Sequence, residues 1–221
     1  MNRLAIFDCD GTLVDSQHNI CLAMEECFAA AGLDPPARER TRKVVGLSLV
    51  EAMRALLPES EVEFHASLAE DYKRAFQAMR ARGLAEEPLY EGVRELIDRL
   101  DAEGWLLGIA TGKSDRGVAL CLEHHGLAGR FITLQTADRH PSKPHPSMVD
   151  QAIADAGASP ARTIVVGDTS FDMAMAVNAG ATGIGAGWGY HEAQELLEAG
   201  AVAVAERPSG VLDLIREHAD G

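Results

Sequence analysis

The chain has 221 residues, 47% of them hydrophobic and 24% charged, which places it among globular proteins and sets aside wholesale disorder or a collagen-like repeat. Lys and Arg number 20 against 34 Asp and Glu, a formal net charge of −14. A basic face for nucleic acid or an anionic membrane is therefore not expected. An anionic substrate has to meet a local positive centre instead, either a metal ion or one well-placed cation.

In chain order, Leu4-Ala5-Ile6-Phe7 is a short apolar run closed by Asp10-Gly11-Thr12, which reads as a buried strand and its exit turn. A helical pattern covers Ser16 to Ala31 and stops at Gly32. From Asp34-Pro35-Pro36 to Pro88 no strand is expected, and Val50 to Leu57 and Val62 to Arg82 carry helical spacing. Beyond Pro88 helices and strands alternate. Helices are expected at 92–103, 114–125, 146–156, 170–179, 192–197 and 209–218, and strands at 105–110, 131–135, 163–166, 181–184 and 201–205. Such alternation predicts an α/β fold, a doubly wound, Rossmann-like parallel sheet, with an inserted α-helical cap domain after the first strand. The expected division is a core of residues 1–15 and 88–221 and a cap of residues 16–87.

No signal peptide or membrane span is expected: the N-terminal apolar run is short, and no uncharged apolar stretch approaches about 18 residues. Cys9, Cys21, Cys27 and Cys121 show neither a Cys-x-x-Cys pair nor zinc spacing. They are expected as free thiols in a reducing cytoplasm.

Ligands of open parallel sheets bind beyond the carboxyl ends of the strands, so the residues that follow each strand matter most. The first strand is followed by Asp8-Cys9-Asp10-Gly11-Thr12, the second by Thr111-Gly112-Lys113-Ser114, and the fourth by Gly167-Asp168-Thr169-Ser170-Phe171-Asp172. A proline-rich loop after the third holds Lys143. Strand alternation sends Asp8 and Asp10 to one side and Cys9 to the other. Each residue also has a modest structural reading. Asp8, Asp10, Asp168 and Asp172 can cap backbone N–H groups, Thr111 can cap the next helix, and Lys143 can be a solvated surface charge. Together, up to four carboxylates at one rim suit Mg2+, a hard cation that keeps waters and accepts a phosphate oxygen. Thr111 and Gly112 ahead of a helix start offer an anion site.

These segments, in this order and on these element ends, resemble the haloacid dehalogenase superfamily of phosphohydrolases over Leu4 to about Ile215. The helical insertion is similar to the cap of its phosphoglycolate phosphatase and β-phosphoglucomutase subgroup, with Val45-Gly46-Leu47-Ser48 as the loop over the substrate. The resemblance implies that Asp8 is the nucleophile, forming an aspartyl-phosphate, and that Asp10 is the general acid and base. It implies Mg2+ on the Asp8 carboxylate, the Asp10 carbonyl and Asp168, with Asp172 supporting that shell or orienting Lys143. Thr111 and the N–H groups of Gly11, Thr12 and Gly112 would receive the phosphoryl oxygens, and Lys143 would offset charge beside the nucleophile.

The implied activity is Mg-dependent hydrolysis of a small phosphorylated metabolite, phosphoglycolate being the first expectation and a phosphosugar mutase or pyrophosphatase the alternatives. Asp10 argues against the dehalogenases. The absence of a lysine at Gly46, with only Lys43 upstream, argues against a Schiff-base phosphonate hydrolase. The Asp-x-Asp spacing and the chain length argue against a phosphorylatable receiver module. For specificity the candidates are Arg38, Arg40, Arg42, Lys43 and Arg54, although a solvated helix face is the better expectation for each one alone, and a flexible rim loop over residues 187–191 in reach of the cap or the substrate. His124 and His125 are expected on a helix, away from any ligand.

Overall fold

The computed structural model describes residues 1–218, so the last three positions of the 88–221 segment lie outside the described residues. Strands β1 (Leu4–Phe7), β2 (Leu106–Thr111), β3 (Thr133–Thr136), β4 (Thr163–Gly167), β5 (Thr182–Ala186) and β6 (Ala201–Ala205) form one sheet in the order β3-β2-β1-β4-β5-β6. Every neighbouring pair is parallel. The strand order reverses beside β1, which puts a crevice above the carboxyl ends of β1, β2 and β4.

The alternation along β1 assigns its two faces. Ala5 and Phe7 join Leu107, Ile109, Ile164 and Val166 in a core covered by α5 (Val93–Ala102), α6 (Asp115–His124) and α10 (Pro208–His218). Leu4 and Ile6 join Ala110 and Val165 in a second core under α7 (Ser147–Ala156) and α8 (Ser170–Asn178). A strand buried on both faces has no room for polar residues, which is why these strands read as continuous apolar runs. The helices carry the complementary stripe: α5 buries Val93, Leu96, Ile97 and Leu100, one face of a 3.6-residue period. The sixth core helix, α9 (Ala193–Glu198), starts on a capping box formed by Glu192 and Glu195.

Between β1 and α5 the chain forms α1 (Gln17–Ala30), α2 (Arg38–Arg42), α3 (Leu49–Leu56) and α4 (Val62–Ala81). Ile20, Met24 and Phe28 pack there with Met53, Leu56 and Leu68 in a hydrophobic cluster of their own, to which, among the described residues, Tyr190 alone contributes from the sheet-bearing part. The two connections lie side by side: Asp15 N donates to Pro88 O at 2.8 Å and Tyr90 N to Leu13 O at 3.0 Å. The helical block thus leaves and rejoins the sheet at one place. Among the described residues no helix is long and apolar enough to cross a membrane. All four cysteines are buried and free.

Candidate active site

Asp8 continues the β1 ladder by one residue, its N–H donating to Val166 O at 3.0 Å. The next turn bends sharply at Gly11, whose φ is +86°, and a Cβ there would stand 2.2 Å from Asp168 Oδ2. Glycine is required by both the dihedral and the close approach. As the alternation predicted, Asp8 and Asp10 both line one cavity while Cys9 is buried on the other side, its Sγ 3.9 Å from that of Cys121.

Lys143 is the deepest cation in the molecule's functional end. Its side chain is 0% exposed, with Nζ 3.0 Å from Asp8 Oδ1 and 2.6 Å from Asp172 Oδ1. The reading of Lys143 as a solvated surface charge is thereby corrected. Burial opposes its charge, but Asp172 and Asp8 outweigh that and hold its pKa above the ordinary lysine value. Asp172 is doubly committed. Its Oδ2 accepts from Thr169 N at 3.1 Å and Thr169 Oγ1 at 2.7 Å in the capping box that starts α8, while Oδ1 takes Lys143. Asp172 thus caps α8 and pairs with Lys143 at once.

Asp168, at the end of β4, is fully buried and accepts from Thr12 Oγ1 at 2.7 Å and from Tyr190 N at 2.9 Å. Burial and the neighbouring Asp8 and Asp172 push its pKa well up. Asp8 itself is raised to about 6, first by burial and then by Asp172 and Asp10, with Lys143 working in the opposite direction. Neither Asp8 oxygen has an aligned hydrogen-bond donor. A buried carboxylate met only by the Lys143 ammonium at one oxygen is costly unless something else coordinates it.

A divalent cation is the group that would do so. Oxygens of Asp8, Asp168 and Asp172 lie within 4.8 Å of one another. Three carboxylates against the single Lys143 ammonium leave two negative charges to be matched. A hard, all-oxygen donor set of that charge fits Mg2+. Asp172 is tied to the Lys143 ammonium and caps α8, whereas Asp168 accepts only from the neutral donors Thr12 and Tyr190, one at each oxygen, which leaves lone pairs for a cation.

Thr111 ends β2 and is buried, its Oγ1 accepting from Lys113 N at 3.2 Å. It does not cap α6, as one reading of it held; Ser114 does, accepting from Gly117 N at 3.2 Å. Gly112 faces the helical block so closely that a Cβ would meet Leu47 O at 2.7 Å. Ser48 N donates to Ser142 Oγ at 2.8 Å. Through these two contacts the 45–48 loop sits directly on the rim.

Two features escaped the sequence reading. Lys113 Nζ reaches Asp10 Oδ1 and Glu87 Oε1, each at 2.6 Å, and Glu87 Oε2 takes Arg80 at 2.6 Å. Burial works against the charge of Lys113, yet Asp10 and Glu87 keep its pKa well above the ordinary value. The Glu87 carbonyl also receives His125 Nε2 at 2.7 Å, so His125 supports this chain of charges. The only signal in the sequence was position, since Lys113 follows a strand end and Glu87 precedes the return connection. The 187–191 loop touches the helical block, as expected, but is bonded in place and not a free loop. Trp188 Nε1 donates to Thr12 O at 3.1 Å, Ser170 N donates to His191 Nδ1 at 3.1 Å, and the Tyr190 hydroxyl lies 3.1 Å from Ser16 Oγ. This loop buttresses Asp168 from behind.

The basic residues expected to set specificity do not reach the cavity. Arg38 pairs with Glu25, Arg42 with Glu39, Lys43 with Glu195 and Arg54 with Glu51, and Arg40 donates to Leu56 O. The helix-face reading holds for Arg38, Arg40, Arg42 and Arg54, which find partners within the helical block, whereas Lys43 reaches across to Glu195 of α9.

A family model described as haloacid dehalogenase-like hydrolase matches residues 5–186, and the chain belongs to that family. It is a hydrolase built on a parallel α/β sheet. A protein named "Probable phosphatase IndB" from Dickeya dadantii (strain 3937) is 35% identical over 203 residues, covering 89% of this chain and 86% of the relative. A "Phosphoglycolate phosphatase" from Agrobacterium fabrum (strain C58 / ATCC 33970) is 31% identical over 192 residues, covering 86% of this chain and 82% of the relative. The crystal structure of a hydrolase from Pseudomonas syringae matches with a TM-score of 0.86 at 29% identity, over 98% of this chain and 99% of that one.

Proposed function

We propose that the chain is a Mg2+-dependent phosphatase that hydrolyses a small phosphate monoester through an aspartyl-phosphate on Asp8, with residues 16–87 as a cap over a core of 1–15 and 88–221. The observation that carries this reading is the Asp8 carboxylate. It is buried and lines a cavity, with the Lys143 ammonium 3.0 Å from Oδ1 and no aligned hydrogen bond to either oxygen. A carboxylate held in that way is a poorly solvated, oriented nucleophile.

In this reading Asp8 attacks phosphorus in line, forming the Asp8 Oδ–P bond as the ester P–O bond breaks. Asp10 delivers the proton to the departing alkoxide, then takes one from the water that attacks the aspartyl-phosphate and regenerates Asp8. Lys113 and Glu87 hold the Asp10 side chain in place from outside the reacting atoms. Thr111 and the N–H groups of Gly11, Thr12 and Gly112 receive the phosphoryl oxygens, and Lys143 balances the charge on Asp8. Asp8, Asp168 and the Asp10 carbonyl would hold Mg2+, which would supply electrostatic neutralisation of the phosphoryl group.

Two results test the assignment. Phosphate release from a panel of monoesters stops in EDTA and returns on adding Mg2+; unchanged turnover in chelator removes the metal site. Asp10→Asn lowers kcat by at least ~100-fold, the ordinary worth of general acid–base help. An Asp10→Asn enzyme close to wild type leaves Asp10 without a proton-transfer role.

A further inference from the structure

The cavity above Asp8 has a volume of about 420 Å³. Asp8, Asp10, Thr111 and Lys113 line its catalytic end, but the remainder of its wall is largely apolar. Ile20 and Met24 come from α1, Val44 and Leu49 from the segment around α3, and Tyr72 and Phe76 from α4. Phe76 is fixed by its surroundings, with its ring 6.1 Å from that of Tyr72 and under both Arg80, at 5.3 Å, and Lys113, at 5.7 Å. An aromatic wall held in this way is pre-organised for an apolar guest.

Three of the four cations that border the cavity are paired with carboxylates. Lys113 is shared by Asp10 and Glu87, Arg80 is bound to Glu87, and Lys73 pairs with Glu70 at 2.7 Å. Arg116, the fourth, is exposed to solvent. A substrate bearing a carboxylate next to its phosphate would bring that second anion against Asp10 and Glu87 as well as Lys113. Desolvating a charge without a partner of its own is unfavourable, whereas an apolar group is favoured by the wall it meets. The cavity also exceeds what a two-carbon acid fills, since a single water's share of liquid volume is roughly 30 Å³.

Resting on the phosphatase reading, we propose that the alcohol released from the substrate is uncharged and carries an apolar ring. The phosphate lies over Asp8, and the ring lies against Phe76, Met24 and Ile20. Phosphoglycolate, the first expectation from the sequence, is then a poor substrate, because its two carbons leave the aromatic wall untouched and its carboxylate meets Lys113 only in company with Asp10 and Glu87.

The test is phosphate release with Mg2+ from benzyl phosphate, 2-phosphoglycolate and methyl phosphate, by wild type, Phe76→Ala and Phe76→Leu, each checked for folding by thermal melting. Benzyl phosphate is expected to exceed 2-phosphoglycolate in kcat/KM by at least about 10-fold, a difference that apolar contacts of this size support. Phe76→Ala is expected to reduce that ratio several-fold through KM, and Phe76→Leu, which keeps an apolar wall, to retain most of it. A 2-phosphoglycolate preference, or a ratio unmoved in both variants, overturns the inference and leaves the phosphatase intact. No release from any of the three esters removes the phosphatase reading, and the inference with it.

Discussion

Asp8→Asn abolishes phosphate release and, in the metal-free protein near pH 7.5, raises the melting temperature. The loss of turnover follows from removing the attacking oxygen, a change that costs catalysis at least about 10⁴-fold where a nucleophile acts within a concerted set. The gain in stability follows from burial. In the folded protein the Asp8 pKa is raised from 3.8 to about 6 by burial and by neighbouring acids. The folded state therefore holds that proton more tightly than the unfolded chain does. Stability from this group is present in full below pH 3.8 and declines as the pH rises through 6. The gap corresponds to an order of 3 kcal/mol at neutral pH. An amide of the same shape escapes that penalty, and a recovery of even half of it raises the melting temperature of a chain this long by roughly 5 °C. At pH 4 the two proteins are expected to melt together, and with saturating Mg2+ the wild type is expected to regain the difference. Equal melting temperatures at pH 7.5 in EDTA would show that Asp8 is not an uncompensated charge. Turnover near wild type would end its assignment as nucleophile.

The second large effect has the opposite sign. Lys143→Met removes the one ammonium between Asp8 and Asp172 and leaves Asp8, Asp168 and Asp172 mutually repelling at 0–2% exposure. Breaking a buried pair in this way costs about 3–5 kcal/mol, so the melting temperature at neutral pH is expected to fall by roughly 10 °C. Lys143 is held above the ordinary lysine pKa, so its contribution is complete below pH 10.5 and is lost only as the pH climbs beyond that. The penalty of the variant is nevertheless expected to shrink in acid, for a different reason: the three carboxylates take up protons and cease to repel. Catalysis is expected to fall by about 10²–10³-fold, the scale of losing one oriented electrostatic contact to the reacting group. Thermal melts of Lys143→Met from pH 4 to pH 8, compared with wild type, check both parts. A penalty independent of pH would mean that Lys143 contributes packing and not charge.

Most of the fold was legible because parallel strands buried on both faces are short apolar runs, and the helices between them carry one apolar stripe. The errors fall at edges. Trp105 was expected to open the second strand, but its N–H closes α5 on Leu100 O at 3.0 Å, so β2 begins one residue later. Phe131 was expected in the third strand for its hydrophobicity. It packs in the core from the preceding loop, Ile132 is 50% exposed, and β3 starts at Thr133. The fifth strand runs on through Gly185 and Ala186, whose small side chains give no apolar signal yet pair with Gly167 and Ala205 across the sheet.

Within the candidate site the same boundary applies. The sequence by itself determined that Asp8, Asp10, Thr111, Lys143, Asp168 and Asp172 belong to segments leaving one edge of a parallel sheet, because that follows from element order and strand direction. Only the tertiary structure decided which charge meets which. Lys143 and Lys113 both lie in rim loops, and nothing local says that the first takes Asp8 and Asp172 while the second takes Asp10 and Glu87. The basic residues Arg38, Arg42 and Arg54 were candidates for a substrate and are spent on ion pairs within the helical block, whereas Phe76, Met24 and Ile20, which nothing in the sequence singled out, border the cavity. Periodicity reports which side of an element is apolar over a few turns of chain. It carries no information about contacts between residues 100 or more positions apart, such as Asp10 with Lys113 or Thr12 with Asp168, and those contacts set the charge balance and the shape of the site.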